Sequence, residues 1–272
     1  MPVCVATDLH GRCSSPLGPA LRPLLLPSDI HALTIHYQPQ HSLLRLHPTL
    51  AGKSHLTGLL PASLAASHQL RIATLSLDDL YLTHQDQLKL ADSHPTNKLL
   101  HGRGQPGTHD LPLAQSILAQ LHAANDPSNA GRPIALPVYD KSRFGGQGDR
   151  SDETVQVEGP FDLVIFEGWM NGFYHLAPHK LTERWLEAKD DPVRWASEHL
   201  DYPAPAFFLS HKKEDVLEAN DLLKQYVHKI WKYIGCFVQL APVDMSYVWK
   251  WRLQVSAKPG ERGSGSGWHR QA

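Results

Sequence analysis

The chain lacks the marks of a secreted or membrane protein. Its three cysteines, Cys4, Cys13 and Cys236, match no metal-binding spacing and cannot form a disulfide framework. No apolar run approaches the ~18 residues that a membrane-spanning helix requires. The N-terminus has no basic segment followed by an apolar core, which a signal peptide would show. We therefore expect a cytoplasmic protein in a reducing compartment, with no membrane partner.

Net charge is also nearly absent. The sequence has 26 basic and 27 acidic residues, and the resulting charge of −1 gives no electrostatic reason to expect a nucleic-acid partner. The 18 histidines are scattered and include no HExxH motif, so most of them are interpreted as surface residues. At 272 residues and 42% hydrophobic content, the chain is long enough for one α/β domain with its own core.

One stretch, Arg71–Tyr81 with the sequence RIATLSLDDLY, organises the rest of the prediction. Its short apolar and β-branched run is typical of a strand buried on both faces of a parallel sheet. Asp78 and Asp79 follow directly, and ligands of open α/β sheets bind just beyond the carboxyl ends of the strands. Two acids in this position also suit the N-cap of the next helix, so the stretch alone leaves both interpretations open.

A second motif precedes this strand. Gly52, Lys53 and Ser54 have the form of the second half of a phosphate-binding loop, in which the lysine binds phosphates and the hydroxyl binds magnesium. The helix expected from Gly52 onward would direct its N-terminus, which favours anions, at the same ligand. A lone GKS is common by chance, but its position before a strand and a carboxylate pair favours a nucleotide site.

Two further segments carry candidate chemistry. Phe161–Phe166, FDLVIF, predicts another buried strand that is followed directly by Glu167. The segment Lys141–Arg150, KSRFGGQGDR, combines basic side chains with three glycines and favours binding of phosphate or another oxyanion. A solvated turn would have the same composition, and this alternative remains open.

The remaining elements are predicted from periodicity and turn residues. Residues 1–46 contain six prolines and no sustained period, so they are predicted to be loop apart from a short strand near Ser42–Leu46. Val255–Ala272 is rich in glycine and serine and is predicted to be disordered. A helix is predicted to begin after Asp110, which would cap it, and further helices are predicted at Tyr81–Ser93, Leu181–Leu200 and Lys212–Ile234. The other predicted strands are Ile134–Val138, Ala206–Ser210 and Cys236–Ala241.

Five blocks of the sequence resemble a known family. They are SLDDLYLTHQDQLKLA (76–91), LLHGRGQPGTHDLPL (99–113), PVYDKSRFGGQGDR (137–150), VIFEGWMNGF (164–173) and DMSYVWKWRLQ (244–254). In this order they resemble plant-type D-glycerate 3-kinase and its fungal relatives, which are ATP-binding proteins of the P-loop family that includes uridine kinase and phosphoribulokinase. The resemblance implies a three-layer α/β/α P-loop kinase fold with a mostly parallel sheet of about five strands. We expect an irregular N-terminal extension (1–46), a kinase domain (47–254) and a disordered tail (255–272).

The resemblance also implies an activity and a set of site residues. The activity would be ATP-dependent phosphoryl transfer to a hydroxyl of a small organic acid, with D-glycerate giving 3-phosphoglycerate. Asp78 would accept the hydroxyl proton, Lys53 would hold the phosphates, and Ser54 and Glu167 would bind Mg²⁺. The nucleotide-binding residues would be Gly52, Lys53, Ser54, His55, Arg143 and Arg150. The substrate-binding residues would be Asp79, Tyr81, Arg103, His109, Asp110, Tyr139, Asp140 and Lys141.

Both ends of the chain depart from the family pattern. A complete loop, GxxxxGK[ST], would place its first glycine at position 47, where this chain has His47, and Pro48 removes one loop amide. The apolar strand expected before the loop is not recognisable, and the helical continuation after residue 254 is replaced by low-complexity sequence. We hypothesise that unrelated sequence stands at both ends, as a mispredicted gene model would produce. Two alternative functions therefore stay open: nucleotide binding without turnover, and a kinase for another small alcohol of the nucleoside or pantothenate type.

Overall fold

Helices and strands are interspersed along the chain, as expected for an α/β protein. The computed structural model describes residues 53–199 and 206–239, together with the backbone of two strands at 5–6 and 31–36. The strands are β1 (Val5–Ala6), β2 (His31–His36), β3 (Ile72–Ser76), β4 (Pro133–Asp140), β5 (Asp149–Glu158), β6 (Leu163–Glu167) and β7 (Cys236–Gln239). The α-helices are α1 (Lys53–His68), α2 (His84–Ser93), α3 (Leu111–Ala123), the short α4 (Arg143–Gly146), α5 (Pro178–Asp190), α6 (Pro192–His199) and α7 (Lys213–Lys229).

Five of these strands form one sheet in the order β1-β7-β2-β6-β3, and every pairing in it is parallel. The predicted α/β fold with a mostly parallel sheet is therefore confirmed. Because all five strands run the same way, their carboxyl ends meet at one edge of the sheet. The neighbouring strands β3 and β6 pair Leu75 with Phe166 and Ser76 with Glu167. This register places the ends of both strands side by side.

The core of the described region packs on these two strands. Ala73 and Leu75 of β3 and Val164 and Phe166 of β6 are almost completely buried. They belong to one cluster with the apolar side of α3 and with Tyr226 of α7. Residues on the core side of parallel strands gain stability from burial at roughly 25 cal/mol per Å² of apolar surface. The ends of β3 and β6 therefore project from the buried core of the described region.

The prediction of loop for residues 1–46 is wrong at two places. Strands occur at 5–6 and 31–36, and β2 lies in the sheet between β7 and β6. The strand expected before the phosphate loop is thus present. Its central residues, 32–35, are ALTI, a short apolar run of the kind that occurs in buried parallel strands. The strand predicted near Ser42–Leu46 and the tail Val255–Ala272 lie outside the described residues.

The segment Ile134–Val138 is a strand, as predicted, but it belongs to a different sheet. β4 pairs antiparallel with β5 to form a two-stranded hairpin. Asp140, at the end of β4, is therefore not at the end of a strand of the parallel sheet. The predicted basic loop Lys141–Arg150 is the turn of this hairpin, where Gly145, Gly146 and Gly148 adopt positive φ. The sequence DRSDETVQVE of β5 is largely polar and gave no buried-strand pattern.

Three other expectations are corrected. Phe207–Ser210 forms a 3-10 helix rather than a strand, because a short apolar run does not distinguish the two. The predicted helix Leu181–Leu200 is divided into α5 and α6 at Pro192, since a proline disfavours helical geometry in the residue before it. Pro61 predicts a kink or an early end of α1, and the helix does not end there but continues to His68. Among the residues described, no helix combines the length and apolar character needed to cross a bilayer.

Candidate active site

Ser76 links the two acidic strand ends. Its hydroxyl donates a hydrogen bond of 2.6 Å to Glu167 Oε1, and both side chains are buried. The same oxygen accepts the N–H of Asp78 and so caps the 3-10 turn Leu77–Leu80. One hydroxyl thus fixes both the carboxylate at the end of β6 and the turn that carries the acid pair after β3. The alternative in which the acids cap the next helix is wrong, because Thr83 caps α2.

Asp78 contacts the side chains of the distant Lys141 and of the nearby Tyr81. Lys141 Nζ lies 2.6 Å from Asp78 Oδ2. The Tyr81 hydroxyl donates to the same carboxylate and accepts a hydrogen bond from the indole of Trp169. Burial, with a smaller contribution from the negative charge of Asp78, raises the pKa of Tyr81 well above its usual value. Tyr81 is therefore a protonated donor at any physiological pH, and the orientation of Asp78 is set from two sides.

Asp79 and Asp140 have different surroundings. Asp79 Oδ1 accepts the backbone N–H of Tyr139 at 3.1 Å, which ties β4 to the end of β3. Asp140 accepts both the N–H and the hydroxyl of Ser142, and these bonds lower the pKa of Asp140. Both carboxylates accept backbone N–H groups of the hairpin and so help to hold it in place, whereas Asp78 binds the side chain of Lys141.

The three arginines predicted for binding lie in ion pairs or backbone contacts. Arg150 Nη2 donates to the carboxylate of Asp110 and to the carbonyl of Tyr81, each at 2.9 Å. Arg143 lies 3.7 Å from a carboxylate oxygen of Asp140. The Arg103 guanidinium, 6.0 Å from the centre of the Tyr139 ring, donates to the carbonyls of Gly146 and Gln147 in the hairpin turn.

Asp110 has a second role at the start of α3. Its Oδ1 accepts the N–H of Leu113, so it is the N-cap that the sequence predicted. Its other oxygen holds Arg150. Gly148 permits the neighbouring hairpin turn to close, since a Cβ at this position would lie 2.5 Å from Tyr139 Cε1. The loop 94–110 and the hairpin are thereby fastened together beside the strand ends.

His109 lies in the interior of this network. Its ring stacks on Tyr81 with the ring centres 4.4 Å apart, and the backbones of the two residues form an isolated antiparallel bridge. His109 Nδ1 lies 2.7 Å from the hydroxyl of Tyr226 on α7. Burial lowers the pKa of His109 to about 4, despite the opposing effect of Asp78, so the imidazole is neutral at physiological pH. Its Nε2 is buried and has no hydrogen-bond partner within the described part of the chain.

The geometry brings most of the predicted residues together. Those joined by contacts at the carboxyl ends of β3 and β6 are Asp78, Asp79, Tyr81, Arg103, His109, Asp110, Tyr139, Lys141, Arg150 and Glu167. Asp140 and Arg143 lie in or beside the hairpin turn and contact each other. Such a cluster of carboxylates and cations at the edge of a parallel sheet is typical of a ligand site.

Comparison with known proteins identifies the family. A solved D-glycerate 3-kinase from Cryptococcus neoformans var. grubii is 45% identical, with a TM-score of 0.69, over 84% of this chain and 69% of that chain. The chain belongs to the D-glycerate 3-kinase family of P-loop kinases. The predicted resemblance and fold class are thereby confirmed. No protein-family model matches the chain.

Two curated relatives agree with this family. The probable ATP-dependent kinase TDA10 of Saccharomyces cerevisiae is 47% identical over 183 residues, which are 67% of this chain and 55% of that protein. The chloroplastic D-glycerate 3-kinase of Arabidopsis thaliana is 34% identical over 185 residues, 67% of this chain and 34% of that protein. The chain therefore spans about half of the first and a third of the second.

In this kinase family the phosphate loop leads into a helix, and here α1 begins at Lys53. α1 packs against β3 and β6, the two strands that carry the acids. Lys53, Ser54 and His55 form its first turn, which contains no acidic residue, so the helix N-terminus favours an anion. Their side chains, Gly52 and the loop positions 47 and 48 lie outside the described residues.

The donor chemistry at the strand ends fits magnesium. Glu167 supplies a buried carboxylate, and Mg²⁺ prefers hard oxygen ligands and is usually held by one or two carboxylates together with phosphates. Among the side chains that the structure describes, no group of three or more His, Cys, Asp and Glu is arranged to hold a metal ion.

Ser76 and Tyr226 are site residues that the sequence did not reveal. Ser76 could have been found as a serine just before a turn that starts with acids, which is a capping pattern. Tyr226 gave no such signal, because it lies on the apolar face of α7 and has the periodicity of a core residue.

Proposed function

We propose that the chain catalyses ATP-dependent phosphoryl transfer to a hydroxyl of a small hydroxy acid, with D-glycerate as acceptor and 3-phosphoglycerate as product. The observation that carries the proposal is the pairing of Ser76 with Glu167, which sets Asp78 and Glu167 at adjacent strand ends. The names of the relatives, D-glycerate 3-kinase and ATP-dependent kinase, support the same chemistry.

In this proposal Asp78 is the general base. It would accept the proton of the acceptor hydroxyl as the oxygen attacks the γ-phosphorus of ATP and the bond to the β–γ bridging oxygen breaks. Lys141 and Tyr81 would keep the carboxylate in a fixed orientation during this step. Positioning of this kind supplies most of the rate enhancement of a kinase.

Nucleotide binding is proposed for the first turn of α1. Lys53 would contact the β- and γ-phosphates, and Gly52, Ser54 and His55 would contribute the surrounding loop. Ser54 and Glu167 would hold Mg²⁺, which when bound neutralises charge on the phosphate oxygens. Ser76 would keep the Glu167 carboxylate turned toward that position through its 2.6 Å hydrogen bond.

The acceptor is proposed to bind between the loop 94–110 and the hairpin. The cations Arg103 and Lys141 suit the carboxylate of a hydroxy acid better than an uncharged alcohol. Tyr139 and His109 would bound the same space, since Arg103 lies over the ring of Tyr139 and His109 stacks on Tyr81. Asp79, Asp110, Asp140, Arg143 and Arg150 would support the walls of the site through the contacts described above.

The experiment that tests the proposal is a calorimetric titration of Mg-ATP into the purified chain, followed by a turnover assay with D-glycerate, a nucleoside and pantothenate. We expect Mg-ATP to bind with a micromolar Kd and Lys53→Ala to abolish this binding. Of the three acceptors, only D-glycerate should be phosphorylated. No ATP binding by a folded chain would refute the kinase assignment. Turnover with a nucleoside or pantothenate but not with D-glycerate would refute the acceptor.

The altered phosphate loop is tested in the same titration. The double variant His47→Gly, Pro48→Ala restores the family's first glycine and one loop amide. If the natural loop weakens nucleotide binding, this variant binds Mg-ATP more tightly than the unaltered chain. Equal affinities would show that the departure at these two positions does not impair the loop.

A further inference from the structure

The hydroxyl of Tyr226 connects α7 to the loop 94–110 at two residues, Gly107 and His109. Tyr226 is wholly buried, and its oxygen accepts the backbone N–H of Gly107 at 2.9 Å. The same hydroxyl lies 2.7 Å from His109 Nδ1. Gly107 has a φ of +95°, and a Cβ there would lie 2.6 Å from a side-chain carbon of Leu222, so the loop approaches α7 as closely as a glycine permits.

These contacts determine which ring nitrogen of His109 carries the proton. A phenol has one proton to donate, and among the described residues His109 Nδ1 is the acceptor within hydrogen-bonding distance of the Tyr226 hydroxyl, which itself accepts the N–H of Gly107. The remaining contact, to His109 Nδ1, is therefore a bond that Tyr226 donates and Nδ1 accepts. Since the buried imidazole is neutral, its single proton must lie on Nε2.

The resulting Nε2–H group is a donor that no described residue uses. Nε2 has no hydrogen-bond partner within the described part of the chain, although it is buried. The His109 ring stacks on Tyr81, whose hydroxyl donates to Asp78, and the charge of Asp78 acts on the imidazole. A buried N–H without a partner costs about 1–3 kcal/mol, and such groups in native proteins usually have a functional explanation.

We propose that Tyr226 is a positioning residue that holds His109 as its Nε2–H tautomer, and that this N–H donates a hydrogen bond to an oxygen of the acceptor beside Asp78. The inference deepens the proposed function and rests on it for the nature of the ligand. A neutral donor suits this place, because it binds a hydroxyl or carboxylate oxygen without attracting the proton that Asp78 is to accept. The other tautomer would present a bare nitrogen lone pair, which repels a carboxylate oxygen and competes with Asp78 for the proton of a hydroxyl.

The tautomer is measured by long-range ¹H–¹⁵N correlation spectra of the ¹⁵N-histidine-labelled chain, with His109→Gln used for assignment. We expect a protonated Nε2 and an unprotonated Nδ1, and a shift of the Nε2–H signal when D-glycerate is added. A protonated Nδ1 would overturn the proposal, as would an Nε2–H signal that does not respond to bound D-glycerate. Both results are read from spectra of the unaltered chain, and the variant serves only to assign the His109 signal.

Tyr226→Phe tests the positioning role, with Tyr233→Phe as a matched loss of a phenol elsewhere. In Tyr226→Phe the Nδ1 acceptor loses its donor, so we expect a mixture of tautomers and a KM for D-glycerate raised about tenfold, with a smaller change in kcat. Tyr233→Phe should change neither. An unchanged tautomer and KM in Tyr226→Phe would overturn the inference. Absence of turnover in a chain with the expected tautomer and a D-glycerate-dependent shift would refute the proposed reaction and leave the inference standing.

Discussion

Lys141 Nζ lies 2.6 Å from Asp78 Oδ2, so the turn of the hairpin closes on the end of β3. The adjacent Asp79 instead accepts a backbone N–H, that of Tyr139. Two neighbouring carboxylates thus differ in their partners, one facing a side-chain cation and a phenol and the other a peptide group. The difference assigns them separate roles in the proposed reaction, with Asp78 as the base and Asp79 as a support of the hairpin.

The first prediction separates these two roles by paired substitutions. Asp78→Asn keeps the size of the side chain but cannot accept a proton, so we expect kcat for phosphorylation of D-glycerate to fall by about 10²–10⁴. Asp79→Asn retains an oxygen that can accept the Tyr139 N–H and should lower kcat less than about tenfold. Steady-state kinetics give both values, and calorimetry should show unchanged Mg-ATP affinity. A larger loss in Asp79→Asn than in Asp78→Asn would exchange the two roles.

The second prediction concerns Ser76. In Ser76→Ala the buried Glu167 loses its 2.6 Å donor and the N–H of Asp78 loses its cap, so we expect the free energy of unfolding to fall by about 1–3 kcal/mol. Urea denaturation without magnesium measures this change. The Mg²⁺ concentration for half-maximal activity should rise about 10-fold or more, because Ser76 orients a proposed ligand.

Ser67→Ala is the matched control for Ser76. It removes an exposed hydroxyl that bonds to the carbonyl of Ser63 in α1, and we expect it to alter stability by less than about 0.5 kcal/mol. If Ser76→Ala were equally mild in both measurements, the link between the strand ends would have no energetic importance and the proposed orientation of Glu167 would be wrong.

The central part of the fold was predictable because buried parallel strands have a strong local signal. Ile72–Ser76 and Leu163–Glu167 are short apolar runs followed directly by acids, and the structure sets them side by side. The cap at Asp110 was likewise visible in the sequence and is observed. In each case the information lies within a few consecutive residues, as propensity and capping require.

The parts of the fold and of the site that were not predictable depend on contacts between distant parts of the chain. β5 is polar and exposed, so its sequence does not distinguish a hairpin strand from a loop until β4 supplies the partner. The pair of Lys141 with Asp78 and the pair of His109 with Tyr226 are separated by 63 and 117 residues. No periodicity or motif reports such pairs, because tertiary packing determines which side chains meet.

The third prediction follows from the burial of His109. Its pKa is about 4 in the folded chain and about 6.5 when unfolded, so the unfolded state binds a proton first as the pH falls. His109 therefore costs stability as the pH decreases from 6.5 towards 4. Relative to His109→Gln, the unaltered chain should lose about 2 kcal/mol of unfolding free energy between pH 7.5 and 5. Urea denaturation of both proteins at the two pH values measures the difference, and a constant difference would contradict the burial of a neutral imidazole.

The fourth prediction tests how tightly the end of β6 is packed. Gly168 follows Glu167, and a Cβ at this position would lie 2.5 Å from Asn171 Oδ1 and 2.7 Å from Leu77 Cβ, both in buried residues. Gly168→Ala should therefore lower the free energy of unfolding by about 1–3 kcal/mol. Gly102→Ala is the control, because a Cβ at position 102 would have no atom within 4 Å, and it should be neutral or stabilise by up to about 1 kcal/mol. Because both variants replace a glycine by an alanine, the difference between their melting temperatures isolates the effect of packing. Equal melting temperatures would show that the turn after Glu167 can relax to make room for the added methyl group.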